Sequence, residues 1–413
     1  MDVFLRDIEN ESLISWDFLI ADIKNTQFYN PYCKSANYYV IFKNIILSLL
    51  LDEEIILLDS DFTDSELINL NVHADYANFS KPTDKRKFSF IGNKNELIEN
   101  LSFLPKKWKI TMFTSGTTGV PKKVSHDFKS ITRFVKVKEH HKKCVWGFAY
   151  NPTHMAGIQV FFQALLNGSS IIRLFNLNQS LIYDEIAENQ ITHISATPTF
   201  YKLLLPCDKI FHSIERVTSG GEMFVEKTIK QLNEVFPNAK TTNVYALTEA
   251  GTIFASKNDI FSILPEYDDL IRIEDNEIVI HTSLIGSRGV PIIEWYYTGD
   301  LIEIVSQKPL KFRILNRKSD VINIGGYKVN PHEVEDAILT IPGVKNVWVY
   351  CKKNSVLGNI LCCEVVALSD KLSEAIIRTT LQSKIQEFKI PRIVLFVDEL
   401  STTRTGKLRR NNV

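Results

Sequence analysis

Apolar segments of this chain alternate between the periodicity of helices and the short continuous runs of buried strands. The segment from Asn37 to Leu51 predicts a helix, and Glu54 to Leu58 directly after it predicts a strand. Further along, the strand Gly168 to Leu174, the helix Leu181 to Glu188 and the strand His193 to Ala196 repeat this order. Because helices that connect strands in this way cover the faces of a parallel sheet, we expect an α/β fold with helices packed on mainly parallel sheets.

Length and charge restrict the class of protein. The chain has 413 residues, enough for two or three domains, and its 48 basic and 48 acidic side chains create no overall field for nucleic acid or an anionic membrane. Acids occupy the N-terminus where a signal peptide needs a basic flank, and the strongest apolar run, Ile45 to Leu51, is far shorter than the ~20 residues that span a bilayer. The six cysteines form no CxxC pair or metal spacing. We therefore expect a cytoplasmic protein with reduced thiols and neither a nucleic-acid nor a membrane partner.

The pattern changes after residue 317 and predicts a small α+β unit. Its predicted elements are a helix capped by Asn330, the strands Val344 to Tyr350 and Ile360 to Leu368, a helix from Lys371 to Glu387 and a strand from Arg392 to Val397. We place the boundary within Asn316–Asp320. This gives an N-terminal domain of residues 1–316 and a C-terminal domain of residues 317–413.

A ten-residue string after the predicted strand Ile110 to Thr114 carries the first chemistry. It reads Thr-Ser-Gly-Thr-Thr-Gly-Val-Pro-Lys-Lys from position 114. Its glycines let backbone N–H groups approach an anion, its hydroxyls add donors and its lysine adds charge, which favours a polyphosphate-holding loop over a solvated turn. Pro121 before Lys122 departs from the Walker pattern. The candidate phosphate-binding residues are Thr114, Ser115, Gly116, Thr117, Thr118, Gly119 and Lys122.

This string resembles the phosphate-loop signature of the adenylate-forming, or AMP-binding, superfamily of acyl- and aryl-CoA synthetases, adenylation domains and luciferases. The resemblance implies activation of a carboxylic acid by ATP as an acyl-adenylate, followed by transfer of the acyl group to a thiol. It also implies a large N-terminal AMP-binding domain and a small mobile C-terminal domain. The resemblance covers Phe113 to Arg410, whereas residues 1–112 look shortened relative to the family.

The segment Val244 to Glu249 resembles the family's Tyr-Gly-x-Thr-Glu motif. The resemblance implies that Tyr245 stacks on adenine, that Thr248 binds phosphate and that Glu249 holds Mg²⁺. Ala246 stands where glycine is usual, and its methyl group is expected either to narrow the acyl pocket or to shift the backbone slightly. Taken alone, the segment would equally suit a strand end followed by a helix cap.

Two further segments resemble nucleotide-binding motifs. Thr218 to Glu222 resembles the adenine- and acyl-lining segment, in which adjacent glycines allow a flat base to approach the backbone. The aspartate of Tyr297 to Asp300 is expected to accept hydrogen bonds from both ribose hydroxyls, because an ionised carboxylate only accepts. Arg317 is expected to add ribose or phosphate contacts. The candidate nucleotide-binding residues in this part of the chain are Gly220, Gly221, Glu222, Tyr245, Asp300 and Arg317.

The C-terminal part resembles the family's hinge and mobile domain. Residues 316–335 most resemble members that act on succinylbenzoate and other aryl acids. The resemblance implies a hinge at Lys318, Ser319 and Asp320, and a loop with Gly325 and Gly326 that meets the thiol-bearing arm. Lys407, in Thr-Arg-Thr-Gly-Lys, is expected to bridge the substrate carboxylate and the α-phosphate as the catalytic lysine. A solvated lysine in a basic tail is the alternative.

One histidine is a candidate pocket residue. Asn151 to Gly157 resembles the segment in which a histidine or an aromatic residue gates the acyl pocket, which makes His154, Gly157 and Ala246 candidates for its lining. A histidine beside apolar residues can equally be a satisfied structural group. The Phe-Asp pair of amino-acid-activating relatives is absent here, which argues for an acid without an α-amino group.

The leading hypothesis is an ATP-dependent, AMP-forming ligase that joins an aryl or apolar acyl acid to coenzyme A. A stand-alone enzyme that loads the acid onto the phosphopantetheine of a carrier protein shares every motif. A non-catalytic nucleotide- or acyl-binding module is a third possibility, and a luciferase-type oxidase a remote fourth. The implied cofactors are ATP, Mg²⁺ and coenzyme A or a holo-carrier protein.

Overall fold

The computed structural model describes residues 2–72, 76–102, 107–114, 122–222, 224, 226–287, 294–318, 322–324, 327–354, 358–369 and 371–400. Two compact units divide the chain: one comprises Met1–Ile271 and Ile280–Tyr296, the other Arg272–Val279 and Tyr297–Val413. The boundary expected from the sequence, between residues 316 and 317, lies inside the second unit and stays a prediction about which part moves.

The first unit contains fifteen strands and nine α-helices among its described residues. The strands are β1 (Val3–Asp7), β2 (Ser12–Ser15), β3 (Phe28–Tyr29), β4 (Tyr32–Lys34), β5 (Ile55–Leu58), β6 (Lys81–Pro82), β7 (Lys109–Thr114), β8 (Lys122–Asp127), β9 (Val145–Ala149), β10 (Ser170–Arg173), β11 (His193–Ala196), β12 (Arg216–Gly220), β13 (Lys240–Leu247), β14 (Gly251–Ser256) and β15 (Ile260–Phe261). The helices are α1 (Trp16–Asn25), α2 (Tyr38–Leu51), α3 (Asp64–Asn69), α4 (Lys94–Ser102), α5 (Phe128–Thr132), α6 (Met155–Leu165), α7 (Gln179–Glu188), α8 (Pro198–Leu203) and α9 (Glu226–Val235).

Two sheets position the candidate site in this unit. The larger sheet has the strand order β14-β13-β12-β11-β9-β10-β1-β2, with parallel inner pairs and antiparallel pairs at both edges. The second sheet has the order β4-β5-β7-β8, with only its last pair antiparallel. The expected fold of helices on mainly parallel sheets is therefore confirmed.

The core of this unit forms where two almost entirely apolar helices meet the larger sheet. Asn37 caps α2 by accepting a hydrogen bond from the Val40 N–H, as its position before the apolar run predicts. The rings of Phe42 on α2 and Phe161 on α6 stack at 4.3 Å, and both contact the core around Phe148 on β9. Burial of these rings stabilises the helices, because short helices are marginal without tertiary packing.

The second unit includes most of the residues of four further strands, together with a small α+β part. Its remaining elements are β16 (Ile271–Glu274), β17 (Glu277–His281), β18 (Trp295–Gln307), β19 (Leu310–Arg317), β20 (Ile322–Ile324), β21 (Tyr327–Val329), α10 (Pro331–Leu339), β22 (Val344–Asn354), β23 (Gly358–Ala367), α11 (Glu374–Gln382) and β24 (Ile393–Phe396). The strands β19, β18, β17 and β16 are consecutive neighbours in one sheet.

The small α+β part matches its sequence pattern except in one helix. Strands β22 and β23 form the expected hairpin, and β24 lies parallel to β23. The helix expected from Lys371 to Glu387 is shorter. Ser373 caps its start by accepting from the Ile376 N–H, and the N–H groups of residues 384 and 385 both donate to the carbonyl of Leu381, which closes its last turn. None of the described helices is long and apolar enough to cross a membrane.

A buried arginine fastens the N-terminal strand to the larger sheet. Arg173, at the end of β10, places Nη1 3.1 and 3.2 Å from the two carboxylate oxygens of Asp7 on β1, and its guanidinium lies 4.6 Å from the centre of the Tyr38 ring. Asp7 is 1% exposed and Arg173 8% exposed. The sequence pattern assigns no structure to this N-terminal strand, which nonetheless extends the sheet by pairing in parallel with β10.

We expect Arg173→Met to lower the free energy of unfolding by about 3–5 kcal/mol, because it leaves the buried Asp7 carboxylate without its cation. Denaturant unfolding of the variant against the parent measures this loss. Lys142→Met, which removes the exposed Lys142–Glu139 pair, is the control and should change stability by less than about 1 kcal/mol. Equal effects of the two substitutions would contradict the stabilising role of the buried Arg173.

Candidate active site

Four adjacent parallel strands of the larger sheet end at one edge, and candidate residues lie at or just after the ends of three of them. At that edge Ala149 of β9 pairs with Ala196 of β11, which pairs with Ser219 of β12, and Gly220 pairs with Val244 of β13. Ligands of open parallel sheets bind outside the carboxyl ends of the strands, because the connecting loops converge there. The candidates brought to this edge are His154 and Gly157 after β9, Gly220, Gly221 and Glu222 at and after the end of β12, and Tyr245, Ala246, Thr248 and Glu249 on and after β13.

The candidate phosphate loop joins two antiparallel neighbours in the second sheet. Thr114, the last residue of β7, pairs with Lys122, the first residue of β8. Both ends of the loop are therefore held at the spacing of adjacent strands. The residues between them, including the candidates Ser115, Gly116, Thr117, Thr118 and Gly119, lie outside the described residues. Lys122 is exposed.

Hydroxyl groups tie the two strands of this hairpin to each other. The buried Thr111 of β7 lies 2.7 Å, Oγ1 to Oγ, from Ser125 of β8 and donates a hydrogen bond of 2.9 Å to Oε1 of Glu54. Because Thr111 donates to the carboxylate, the hydroxyl of Ser125 donates to Thr111. The base of the phosphate loop is thus fixed by side chains as well as by the strand ladder.

The turn with Thr248 and Glu249 is held by hydrogen bonds to both of its carbonyl groups. Nε2 of His126, on β8, lies 2.8 Å from the carbonyl oxygen of Thr248. The N–H of Gly286 donates to the carbonyl oxygen of Glu249 at 2.6 Å. The strand that leaves the phosphate loop is therefore bonded directly to the turn expected to bind phosphate and metal.

His126 is a residue that the sequence analysis missed. It is 1% exposed, and Nδ1 lies 2.9 Å from the hydroxyl oxygen of Ser130. Since a carbonyl oxygen only accepts, Nε2 carries the proton and Nδ1 accepts from Ser130. Burial lowers the pKa of His126 below its usual value, so the imidazole is neutral near pH 7. A Cβ at Gly286 would lie 2.6 Å from Cε1 of this ring, so only glycine lets that segment pass so close.

The residues of the turn suit a hard divalent cation. The carboxylate of Glu249 has no hydrogen bond or ion pair within the described part of the chain, and oxygen ligands are those that Mg²⁺ prefers. The described residues contain no group of three or more histidine, cysteine, aspartate or glutamate side chains that could hold a metal alone. Mg²⁺ is commonly bound by one or two carboxylates together with substrate phosphates, and Glu249 fits that arrangement.

The adenine-lining candidates differ in burial: Tyr245 is buried, Glu222 is half-buried and Gly221 is exposed. The Tyr245 ring is 9% exposed and stacks on Phe254 of β14 at 5.6 Å. Gly221 has φ +88°, which favours glycine, and Glu222 accepts hydrogen bonds from the N–H and hydroxyl of Thr199 at 3.0 and 2.7 Å. The contact of Tyr245 with adenine stays a prediction.

The candidate pocket histidine is paired with a buried carboxylate. Nε2 of His154 lies 3.1 Å from both oxygens of Asp59, a 7% exposed residue directly after β5 that also accepts a hydrogen bond from the Thr153 hydroxyl. A Cβ at Gly157 would lie 2.3 Å from the carbonyl oxygen of Asn151, so this glycine allows α6 to pack against the preceding turn. A structural partner thus exists for His154, and the pocket roles of His154, Gly157 and Ala246 stay predictions.

In the second unit, the ribose candidate is oriented by a cation. Asp300 is 4% exposed, and its Oδ1 accepts a hydrogen bond of 2.8 Å from Nε of Arg317 on the paired strand β19. The neighbouring Gly299, with φ +77°, donates its N–H to Glu277 at 2.7 Å. The carboxylate of Glu277 also lies 2.5 Å from Nζ of the hinge candidate Lys318. The remaining candidates Ser319, Asp320, Gly325, Gly326 and Lys407 lie outside the described residues.

The chain resembles known ligases in sequence and in fold. The chain is 24% identical over 401 residues to 2-succinylbenzoate–CoA ligase of Lactococcus lactis, covering 89% of this chain and 87% of that relative. It is 24% identical to 3,4-dihydroxybenzoate–[aryl-carrier protein] ligase of Bacillus anthracis, covering 76% and 75%. In fold it resembles o-succinylbenzoate coenzyme A synthetase of Bacillus subtilis in complex with ATP and magnesium ion, with a TM-score of 0.67, 18% identity and coverage of 98% and 95%.

Two family models match the chain in order. The model of the C-terminal domain of AMP-binding enzymes matches residues 333–407. The AMP-binding enzyme model matches residues 56–291, which contain the phosphate loop and the Thr248–Glu249 turn. The resemblance inferred from the motifs is confirmed. Since the larger model alone spans more than half of the 413 residues, the chain belongs to the AMP-binding enzyme family.

Proposed function

We propose that this chain is an ATP-dependent, AMP-forming acid–thiol ligase that adenylates a carboxylic acid and transfers the acyl group to coenzyme A. The observation that carries the proposal is the direct hydrogen bond between the exit strand of the phosphate loop and the Thr248–Glu249 turn. It unites the two motifs that would hold a polyphosphate and its metal ion. The relatives named as CoA and carrier-protein ligases support the same reaction class.

The proposed reaction has two steps at one carboxyl carbon. A carboxylate oxygen of the acid attacks the α-phosphorus of ATP, the bond to pyrophosphate breaks, and an acyl-adenylate forms. A thiolate then attacks the acyl carbon and AMP leaves. Mg²⁺ held by Glu249 would offset the charge of the phosphates. Lys122 would bind the phosphates, Asp300 would orient the ribose, and Lys407 would stabilise charge on the α-phosphate during the first step.

The names of the relatives support proposals for the class of acid and for the thiol acceptor. A 2-succinylbenzoate ligase and a dihydroxybenzoate ligase point to an aryl acid as the small-molecule substrate. Because the second of these is named for an aryl-carrier protein, a phosphopantetheine carrier is the alternative acceptor to coenzyme A. The proposed place of action is the cytoplasm, where ATP and reduced thiols are available.

Pyrophosphate release over a panel of aryl, fatty and dicarboxylic acids, with and without coenzyme A, tests the proposal. We expect turnover with an aryl acid that yields an acyl-CoA, identified by mass. Acid-dependent pyrophosphate release without any CoA product would favour the carrier-protein acceptor. Failure of every acid to release pyrophosphate from a protein that binds ATP would favour the non-catalytic module.

Asp300→Asn should raise the KM for ATP by roughly 10- to 100-fold, because it removes a charge-assisted hydrogen bond worth about 1.5–3 kcal/mol. Steady-state pyrophosphate release at saturating acid measures this. Glu303→Gln, on the same strand β18 and more than half exposed, is the matched control and should leave the KM for ATP unchanged. An unchanged KM in Asp300→Asn would remove this aspartate from the nucleotide site.

Lys407→Ala should abolish adenylation yet largely spare thioester formation from supplied acyl-adenylate, because its charge is needed only while the α-phosphate reacts. The two half-reactions are measured separately, by pyrophosphate release and by acyl-CoA formation. Arg410→Ala, which removes a neighbouring charge from the same basic tail, should spare both. Equal loss of both half-reactions in Lys407→Ala would contradict the assignment.

A further inference from the structure

His126 lies where three segments of the first unit meet. Its strand β8 leaves the phosphate loop, and its Nε2–H donates to the carbonyl of Thr248. The third segment contains Gly286, which lies so close to the imidazole that a Cβ there would be 2.6 Å from Cε1. It also contains Ser287, whose N–H and carbonyl exchange hydrogen bonds of 2.8 and 2.9 Å with the backbone of Ser125. The buried imidazole of His126 thus lies beside both the Thr248 turn and the Gly286 segment.

We propose that His126 is a positioning residue for the metal-binding turn: its Nε2–H holds the Thr248 carbonyl and thereby fixes the backbone that presents Glu249 to Mg²⁺. This inference rests on the proposed function. It adds a residue that touches neither substrate nor metal and that acts through the peptide group between Thr248 and Glu249.

The geometry explains why one hydrogen bond has this effect. The turn is short, since β13 ends at Leu247 and β14 begins at Gly251. The carbonyls of Thr248 and Glu249 are both bound, by His126 and by the Gly286 N–H, so neither peptide plane can rotate without breaking one of these hydrogen bonds. The Glu249 carboxylate, which has no partner among the described residues, is thereby attached to a fixed backbone.

The tautomer of the ring determines which nitrogen donates to the Thr248 carbonyl. The hydroxyl of Ser130, on α5, occupies Nδ1 and leaves the single proton of the neutral imidazole on Nε2. Groups that hydrogen-bond metal-ligating side chains orient them in many proteins, and their loss commonly weakens metal binding 10- to 100-fold. His126 would have the same effect through the backbone of the ligand. The expected consequence is a selective loss of metal affinity.

The test compares two substitutions of the same residue. His126→Leu removes the donor, whereas His126→Gln places an amide N–H near the position of Nε2. Mn²⁺, followed by electron paramagnetic resonance, is titrated into the full chain in the presence of an ATP analogue with a non-hydrolysable α,β bridge. We expect the Mn²⁺ dissociation constant to rise about 10- to 100-fold in His126→Leu, and His126→Gln to recover most of the loss.

A second buried histidine of the same unit gives a matched control. His193, on β11, is 5% exposed, and burial lowers its pKa to about 4. Its ring nitrogens lie near Thr192 and Cys144, and none of its described hydrogen bonds involves the turn. His193→Leu should leave the Mn²⁺ dissociation constant within about twofold of the parent, because it perturbs the core without touching the turn.

The outcomes separate this inference from the function on which it rests. Equal weakening in His126→Leu and His126→Gln, or none in either, would overturn the positioning role while the parent still binds the metal–nucleotide complex. If the parent itself binds no such complex, the proposed function falls, and the inference with it. Should His126→Leu fail to fold, Ser130→Ala replaces it, with an expected weakening of about 2- to 10-fold from one lost hydrogen bond and no change as the contradicting result.

Discussion

The parallel register of four strands is the constraint on which the candidate site depends. The strands β9, β11, β12 and β13 run in the same direction; β9 and β11 end at paired residues, and β12 and β13 continue by one and by a few residues further. The segments after them therefore meet at one edge, although they are far apart in the chain. A slip of one residue in this ladder would turn the side chains of the slipped strand to the opposite face and displace its candidate residues. The core beneath the edge, formed by apolar helices, therefore sets the geometry of the chemistry above it.

Two histidines, the buried His126 and the partly buried His154, connect this edge to the second sheet. His126 reaches from β8 to the turn after β13, and His154 reaches from the loop after β9 to Asp59 after β5. Each bond fastens a loop of one sheet to an element of the other, at points that are largely shielded from water. In such surroundings a satisfied hydrogen bond adds rigidity, because its loss leaves a polar group without water to replace the partner.

The sequence predicts the fold class and the order of the motifs well, and the reason is local. Residue type and spacing within ten or twenty positions determine the strand Ile55–Leu58, the cap at Asn37 and the phosphate loop. Partners far apart in the chain leave no such pattern: His126 and Thr248 are 122 positions apart, and His154 and Asp59 are 95 apart. Nor does the pattern predict β1, whose few residues become a strand only because β10 offers an open edge. The helix after Ser373 ends early for a different reason: the bonds that close its last turn are local, but the apolar periodicity of the segment does not mark them.

The position of β1 has a consequence for how the chain folds during synthesis. β1 pairs in parallel with β10, and Leu5 reaches its partner Ile171 only after the ribosome has completed more than 160 further residues. Until then an apolar strand has only the antiparallel neighbour β2, a four-residue strand, beside it. Closure of so long a loop is slow, and an unpaired edge is prone to wrong association. The charged residues Arg6 and Asp7 in this strand would discourage such association while it waits, and the same two charges later form its ion pairs with Glu185 and Arg173.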